Sequence, residues 1–153
     1  MRSERQFLDE YAVSHQNPTN LKVHLVCVPL IFMATLGLLW LVPLGAWLGL
    51  PESVALWVNG ATVVTLPVLA FYARLSSWSL QTGILWLAIS YAALAVLWCF
   101  NAPILPLLAA VWVLAWIGQF WGHRVEGAKP SFADDLVFLL IGPLFVQRKL
   151  QVL

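Results

Sequence analysis

The stretch LSSWSLQTGILWLAISYAALAVLWCFNAPILPLLAAVWVLAWIGQFWGH, residues 75–123, contains no Asp, Glu, Lys or Arg. About 20 apolar residues cross a bilayer core, so this run is too long for one crossing. The turn-forming Asn101-Ala102-Pro103 interrupts it. It therefore reads as two spans, at about 83–100 and 103–121, joined tightly enough to be expected as a hairpin. Toward the N-terminus, residues 53–73 are again uncharged and are closed by Arg74, which gives another span. Val23 to Pro51 also lacks charged residues and supplies a span at about 21–43. The expected fold is all-α: a polytopic helical bundle with four transmembrane helices, forming a single integral membrane domain over residues 1–153.

Composition agrees. Of the 153 residues, 61% are hydrophobic and 10% charged, and the mean hydropathy is +0.86, whereas charged residues make up about 25% of an ordinary soluble domain. The net charge of +1 is spread along the chain and forms no basic patch, which excludes nucleic acid as a partner. Cys27 and Cys99 lie inside apolar runs and read as free thiols. No apolar signal-peptide core precedes the first span.

The cations fix an orientation. Arg2, Arg5, Lys22, Arg74, Arg124, Lys129, Arg148 and Lys149 are all the Lys and Arg in the chain, and a four-span arrangement with both termini inside puts every one on the cytoplasmic side. Trp40, Trp47, Trp57 and Trp98 then fall toward the outer interface, with Trp78 and Trp121 toward the inner one, as aromatic belts require. The expected location is an integral membrane protein, of the inner membrane in a bacterium.

Two segments are too short or too polar to span. Residues 3–16 place Phe7, Tyr11 and His15 four apart on one helix face, which suits a helix resting on the membrane surface. Asn17 and Pro18 read as the N-cap and first residue of the next helix. Residues 131–147 begin with a capping-box pattern at Ser131 and Asp134 and hold Gly142-Pro143, so they are expected as an interfacial or re-entrant helix roofing the inner face.

The same topology puts all three histidines at one membrane face. His15 precedes the first span, His24 lies in its first turns and His123 ends the fourth. Three imidazoles in one layer are what a nitrogen-rich iron, zinc or copper site needs. Asn20 shares a helix face with His24 and Gln119 with His123, while Glu126 follows His123 by three residues. Pro29 removes the donor for the carbonyl of Leu25 just beyond His24, and Gly127 with Pro130 is expected to stop the last span after Glu126.

Two blocks carry a family resemblance. FLDEYAVSHQNPTNLKVHLVCVPL, with its Tyr-x3-His-x4-Asn-x3-His-x4-Pro pattern, and AWIGQFWGHRVEGAKPSFADDLVFLLIGPLF, with Gly-His, then Glu, then Lys-Pro, resemble the membrane-bound, iron-dependent 2-hydroxy fatty acid dioxygenases of fatty-acid α-oxidation. The resemblance implies Fe(II), with O2 and a 2-hydroxy fatty acid as substrates, and cleavage between C1 and C2 to give an acid one carbon shorter. Carried onto this chain, the metal ligands are His15, His24 and His123, and Asn20 and Glu126 match the motif's other polar positions as candidate catalytic residues. Glu126 is also an alternative third ligand, because many non-haem iron oxygenases use two histidines and a carboxylate. Lys22, Arg124 and Lys129 are the candidates for binding the substrate carboxylate. Two other classes use the same residues differently: a lipid-binding or transport protein whose histidines only form hydrogen bonds, and a zinc-dependent membrane hydrolase.

Overall fold

The computed structural model describes residues 2–152, which are helical with short connections and contain no strand. In chain order the helices are α1 (Glu4–Val13), α2 (Pro18–Trp40), the single turns α3 (Leu44–Trp47) and α4 (Glu52–Ala55), α5 (Gly60–Leu75), α6 (Ser77–Cys99), α7 (Ile104–Glu126) and α8 (Phe138–Leu150). A 3₁₀ turn, Ser131–Ala133, precedes α8. Three segments are long and apolar enough to cross a membrane: Pro18–Trp47, Ser77–Cys99 and Ile104–Glu126.

Helix ends follow local chemistry. Asn17 caps α2 by accepting from the Thr19 amide at 2.8 Å, with Pro18 at the first helical position. Gly127 ends α7 in the left-handed region, φ 74°, with its amide donating to the carbonyls of His123 and Arg124. α5 is shorter than the span expected at 53–73. Residues 52–55 wind into a separate turn, and Asn59 then forms a capping box with Thr62 that starts the helix at Gly60. With 16 residues α5 is about 24 Å long.

The bundle is built around α2. Contacts run antiparallel along α2 and α7, from Asn17 with Glu126, through Asn20 with Gly122 and Cys27 with Gly118, to Thr35 with Trp112 and Gly37 with Leu108. Helices approach this closely where small residues remove the side chain between them. The close pairing expected between the last two spans gives way to packing on α2, which contacts both α6 and α7; Leu94 of α6 and Leu108 of α7 meet over Gly37 of α2, where a β-carbon would strike both. Close packing on the small-residue faces of α2 and α7 prevails over sequence adjacency.

α1 and α8 close one end. The apolar face of α1, Phe7, Leu8 and Tyr11, is buried against Phe138, Ile141 and Phe145 of α8 and Val68 and Tyr72 of α5. The surface expected to rest on lipid is thus covered by protein. Glu4 accepts from the Ser79 hydroxyl at 2.6 Å, and Arg2 pairs with Asp135 and lies over the Phe7 ring, so α1 is tied to both α6 and the approach to α8. The capping box expected at Ser131 and Asp134 is absent. Ser131 bonds the Ser14 hydroxyl instead, Asp134 pairs with Lys129, and Asp135 accepts from the Val137 amide, which starts α8 at Phe138. Both cysteines are free thiols.

Candidate metal centre

The antiparallel packing of α2 and α7 brings His24, in the second turn of α2, level with His123, in the last turn of α7. The Ser14–Asn17 turn swings His15 over both. All three rings are buried. Their centroids are 4.2 Å (His15–His24), 4.8 Å (His24–His123) and 5.0 Å (His15–His123) apart, and one ring nitrogen of each falls within 4.8 Å of the others. The ring planes are close to mutually perpendicular, at 76° to 86°, so the imidazoles converge by their edges.

The backbone sets the tautomers. His15 Nδ1–H donates to the Tyr11 carbonyl at 2.6 Å, and His24 Nδ1–H donates to the Asn20 carbonyl at 2.9 Å. Each bond reaches back four residues and leaves the Nε2 lone pair free, the orientation found where histidine binds a metal. Burial pushes the His15 imidazole down to about 4, outweighing its bond to the Tyr11 carbonyl, which acts in the other direction. The ring is therefore neutral at pH 7, the form that ligates. His15 Nε2 and His123 Nδ1 are buried without a hydrogen-bond partner among the described residues. Such orphaned nitrogens cost free energy unless something coordinates them, so the residues present fit a divalent metal.

Asn20 and Glu126 brace this arrangement from outside it. Asn20 Nδ2 donates to the Ser14 carbonyl and to Glu126 Oε2, both at 3.0 Å. Glu126 also accepts from the backbone amides of Gln16 and Asn17 at 2.9 Å. Its carboxylate is thus turned onto the positive end of α2 and lies outside the cluster of converging nitrogens. Lys22 and Arg124 are exposed, and Lys129 is exposed and paired with Asp134. The structure brings none of these three cations to the histidines.

What it does bring there is a cavity of about 330 Å³. The histidines form one end, roofed by Phe132, Phe138 and Leu139. From there the lining follows one stripe of α2, His24, Val28, Ile31, Thr35 and Leu39, which spans about 22 Å at the rise of an α-helix. Val64 of α5 and Trp112 of α7 flank it, each more than a third exposed. Sequence reasoning missed Tyr11 as part of this site, although its spacing to His15 was visible. Its ring stacks on the imidazole with centroids 4.1 Å apart and planes 8° apart.

Gly122 is the tightest point beside the cluster, because a β-carbon there would collide with Asn20 Oδ1, itself buried without a partner. Gly122→Ala is expected to push α7 away from α2 next to His123. Overpacking of this kind costs about 1–3 kcal/mol, and thermal unfolding in detergent with a divalent-metal titration should show lower stability and at least about tenfold weaker metal binding.

No curated protein and no solved structure matches the chain. A family model described as 2-hydroxy-palmitic acid dioxygenase Mpo1-like matches residues 1–152, and by that match the chain belongs to the Mpo1-like family.

Proposed function

We propose that the chain is an Fe(II)-dependent dioxygenase that cleaves the C1–C2 bond of a 2-hydroxy fatty acid with O2, releasing a fatty acid one carbon shorter. The observation that carries the reading is the joining of two features in one cavity: three buried, converging imidazoles at its end and an apolar stripe of α2 leading away from them. A head group held at the histidines leaves its acyl chain along Val28, Ile31, Thr35 and Leu39. The family description, which names 2-hydroxy-palmitic acid, fits an amphiphile of that shape.

His15, His24 and His123 would hold the iron, which when bound supplies open coordination positions and the redox chemistry that O2 requires. The protein's own part is positional. The Tyr11 and Asn20 carbonyls fix two imidazoles, Asn20 and Glu126 lock the start of α2 to the end of α7, and the roof of Phe132 and Phe138 keeps the reacting end dry. α5 serves as the fourth, short span, and the histidine end faces the cytoplasm with both termini. Lys22, Arg124 and Lys129 then make the inner rim positive and draw anionic amphiphiles toward it. The gap between Val64 and Trp112 gives the acyl chain a sideways route from the bilayer.

The test is oxygen uptake by anaerobically purified, Fe(II)-loaded protein given 2-hydroxyhexadecanoate. Expected is one O2 consumed per substrate, with C1 leaving as CO2 and pentadecanoate and water as the other products, and no turnover by the zinc-loaded form. Hydrolysis of an ester lipid by the zinc-loaded form, with no O2 uptake on the hydroxy acid by the iron-loaded form, identifies a hydrolase, and protein that takes up no iron yet binds the lipid unchanged identifies a lipid carrier; either outcome overturns the proposal.

A further inference from the structure

Besides the imidazoles and the Trp116 indole N–H, a donor only that is buried without a partner, two polar side chains on the cavity wall are left unused by the fold. The Tyr11 hydroxyl and the Gln119 amide belong to residues that are each 6% exposed and line the cavity, yet neither is held by a hydrogen bond among the described residues. The other hydroxyls on the wall are engaged: Thr35 accepts from Trp112 at 3.0 Å, Thr65 bonds Tyr91 at 3.1 Å and Ser131 bonds Ser14 at 2.8 Å. Neither group is among the sealed, unpartnered polar atoms of the interior, and both residues line the cavity, where a partner has room to bind.

Their depth is the same. Gln119 precedes His123 by one turn on α7, and the Tyr11 hydroxyl reaches the space beside Gly142 that Val28 also borders, one turn beyond His24 on α2. The pair therefore forms a collar between the imidazoles and the apolar stripe. No Lys or Arg side chain lines this cavity, so apart from a metal held by the imidazoles its wall meets a carboxylate with neutral donors. A phenol donates one hydrogen bond, whereas a primary amide both donates and accepts. A hydroxyl beside a carboxylate needs that combination.

We infer that Tyr11 and Gln119 are the head-group recognition pair of this cavity, Tyr11 donating to the carboxylate and Gln119 exchanging hydrogen bonds with the C2 hydroxyl. The inference rests on reading the cavity as the place where a 2-hydroxy fatty acid binds, and it assigns the preference for the 2-hydroxy acid to Gln119. Sites built to bond a hydroxyl reject the analogue that lacks it.

Binding separates this from turnover. The Fe(II)-loaded protein is held under argon, and quenching of its tryptophan fluorescence is titrated with 2-hydroxyhexadecanoate and with hexadecanoate. Wild type is expected to prefer the hydroxy acid by about tenfold or more. Gln119→Leu should erase that preference with iron content unchanged, and Tyr11→Phe, which keeps the ring stacked on His15, should weaken both acids alike. Gln119→Glu guards against a misfolded leucine variant: it should repel both acids yet still bind neutral hexadecane-1,2-diol. Retention of the wild-type preference in both Gln119 variants overturns the inference and leaves the proposed function standing. Failure of wild type to bind either acid overturns both.

Discussion

Replacing His24 with alanine is expected to empty the metal centre while the helices stay in place. His24 is 1% exposed and is the only one of the three imidazoles carried by the first turns of α2, so no neighbouring side chain can take over its position. The variant leaves two of the three proposed ligands, and even loss of a supporting partner outside a ligand set lowers metal affinity about 10- to 100-fold. Loss of a ligand should exceed that. The fold should survive, because α2 is held to α7 along its whole length and the N-terminal turn is tied by Asn20 and Glu126 independently of the ring. The measurement is iron per chain by mass spectrometry on anaerobically purified protein, with circular dichroism as the control. Wild type should carry about one iron per chain and His24→Ala close to none, with oxygen uptake on 2-hydroxyhexadecanoate falling at least about a hundredfold. A variant that keeps its iron removes His24 from the ligand set.

Much of the site was legible before any coordinates. The uncharged runs locate the apolar helices, Asn17-Pro18 and Gly127 mark the ends that matter, and the scarcity of histidine turns a topology into a cluster at one face. What remained hidden depends on packing. A hairpin of α6 and α7 follows naturally from the four residues that join them, but the close fit at Gly37 of α2 and Gly122 of α7 shows only once these two helices are known to pack together. Glu126 follows His123 at a spacing that suits a ligand, yet its oxygens are taken by amides that lie over a hundred residues earlier in the chain. Lys22, Arg124 and Lys129 have the right sign and lie near the histidines in sequence, yet all three are exposed and none lines the cavity. Tautomers and unused hydroxyls have no sequence signal at all.

Glu126→Gln distinguishes a ligand from a brace. In the present geometry the carboxylate accepts from Gln16 N, Asn17 N and Asn20 Nδ2, and its negative charge faces the start of α2, where the helix dipole favours an anion. Glutamine keeps one carbonyl oxygen and turns an NH2 toward groups that are themselves donors. At least one bond to a charged acceptor is lost, which costs about 1.5–3 kcal/mol, and the Ser14–Asn17 turn that carries His15 is loosened. The expected result is a protein that still binds one iron per chain when iron is plentiful, but with affinity lowered about 10- to 100-fold and with earlier thermal unfolding. A brace predicts this graded loss, because all three imidazoles remain. If Glu126 instead supplies the third ligand in place of a histidine, the variant should lose its iron as completely as His24→Ala, and one histidine of the three should then be dispensable for metal binding.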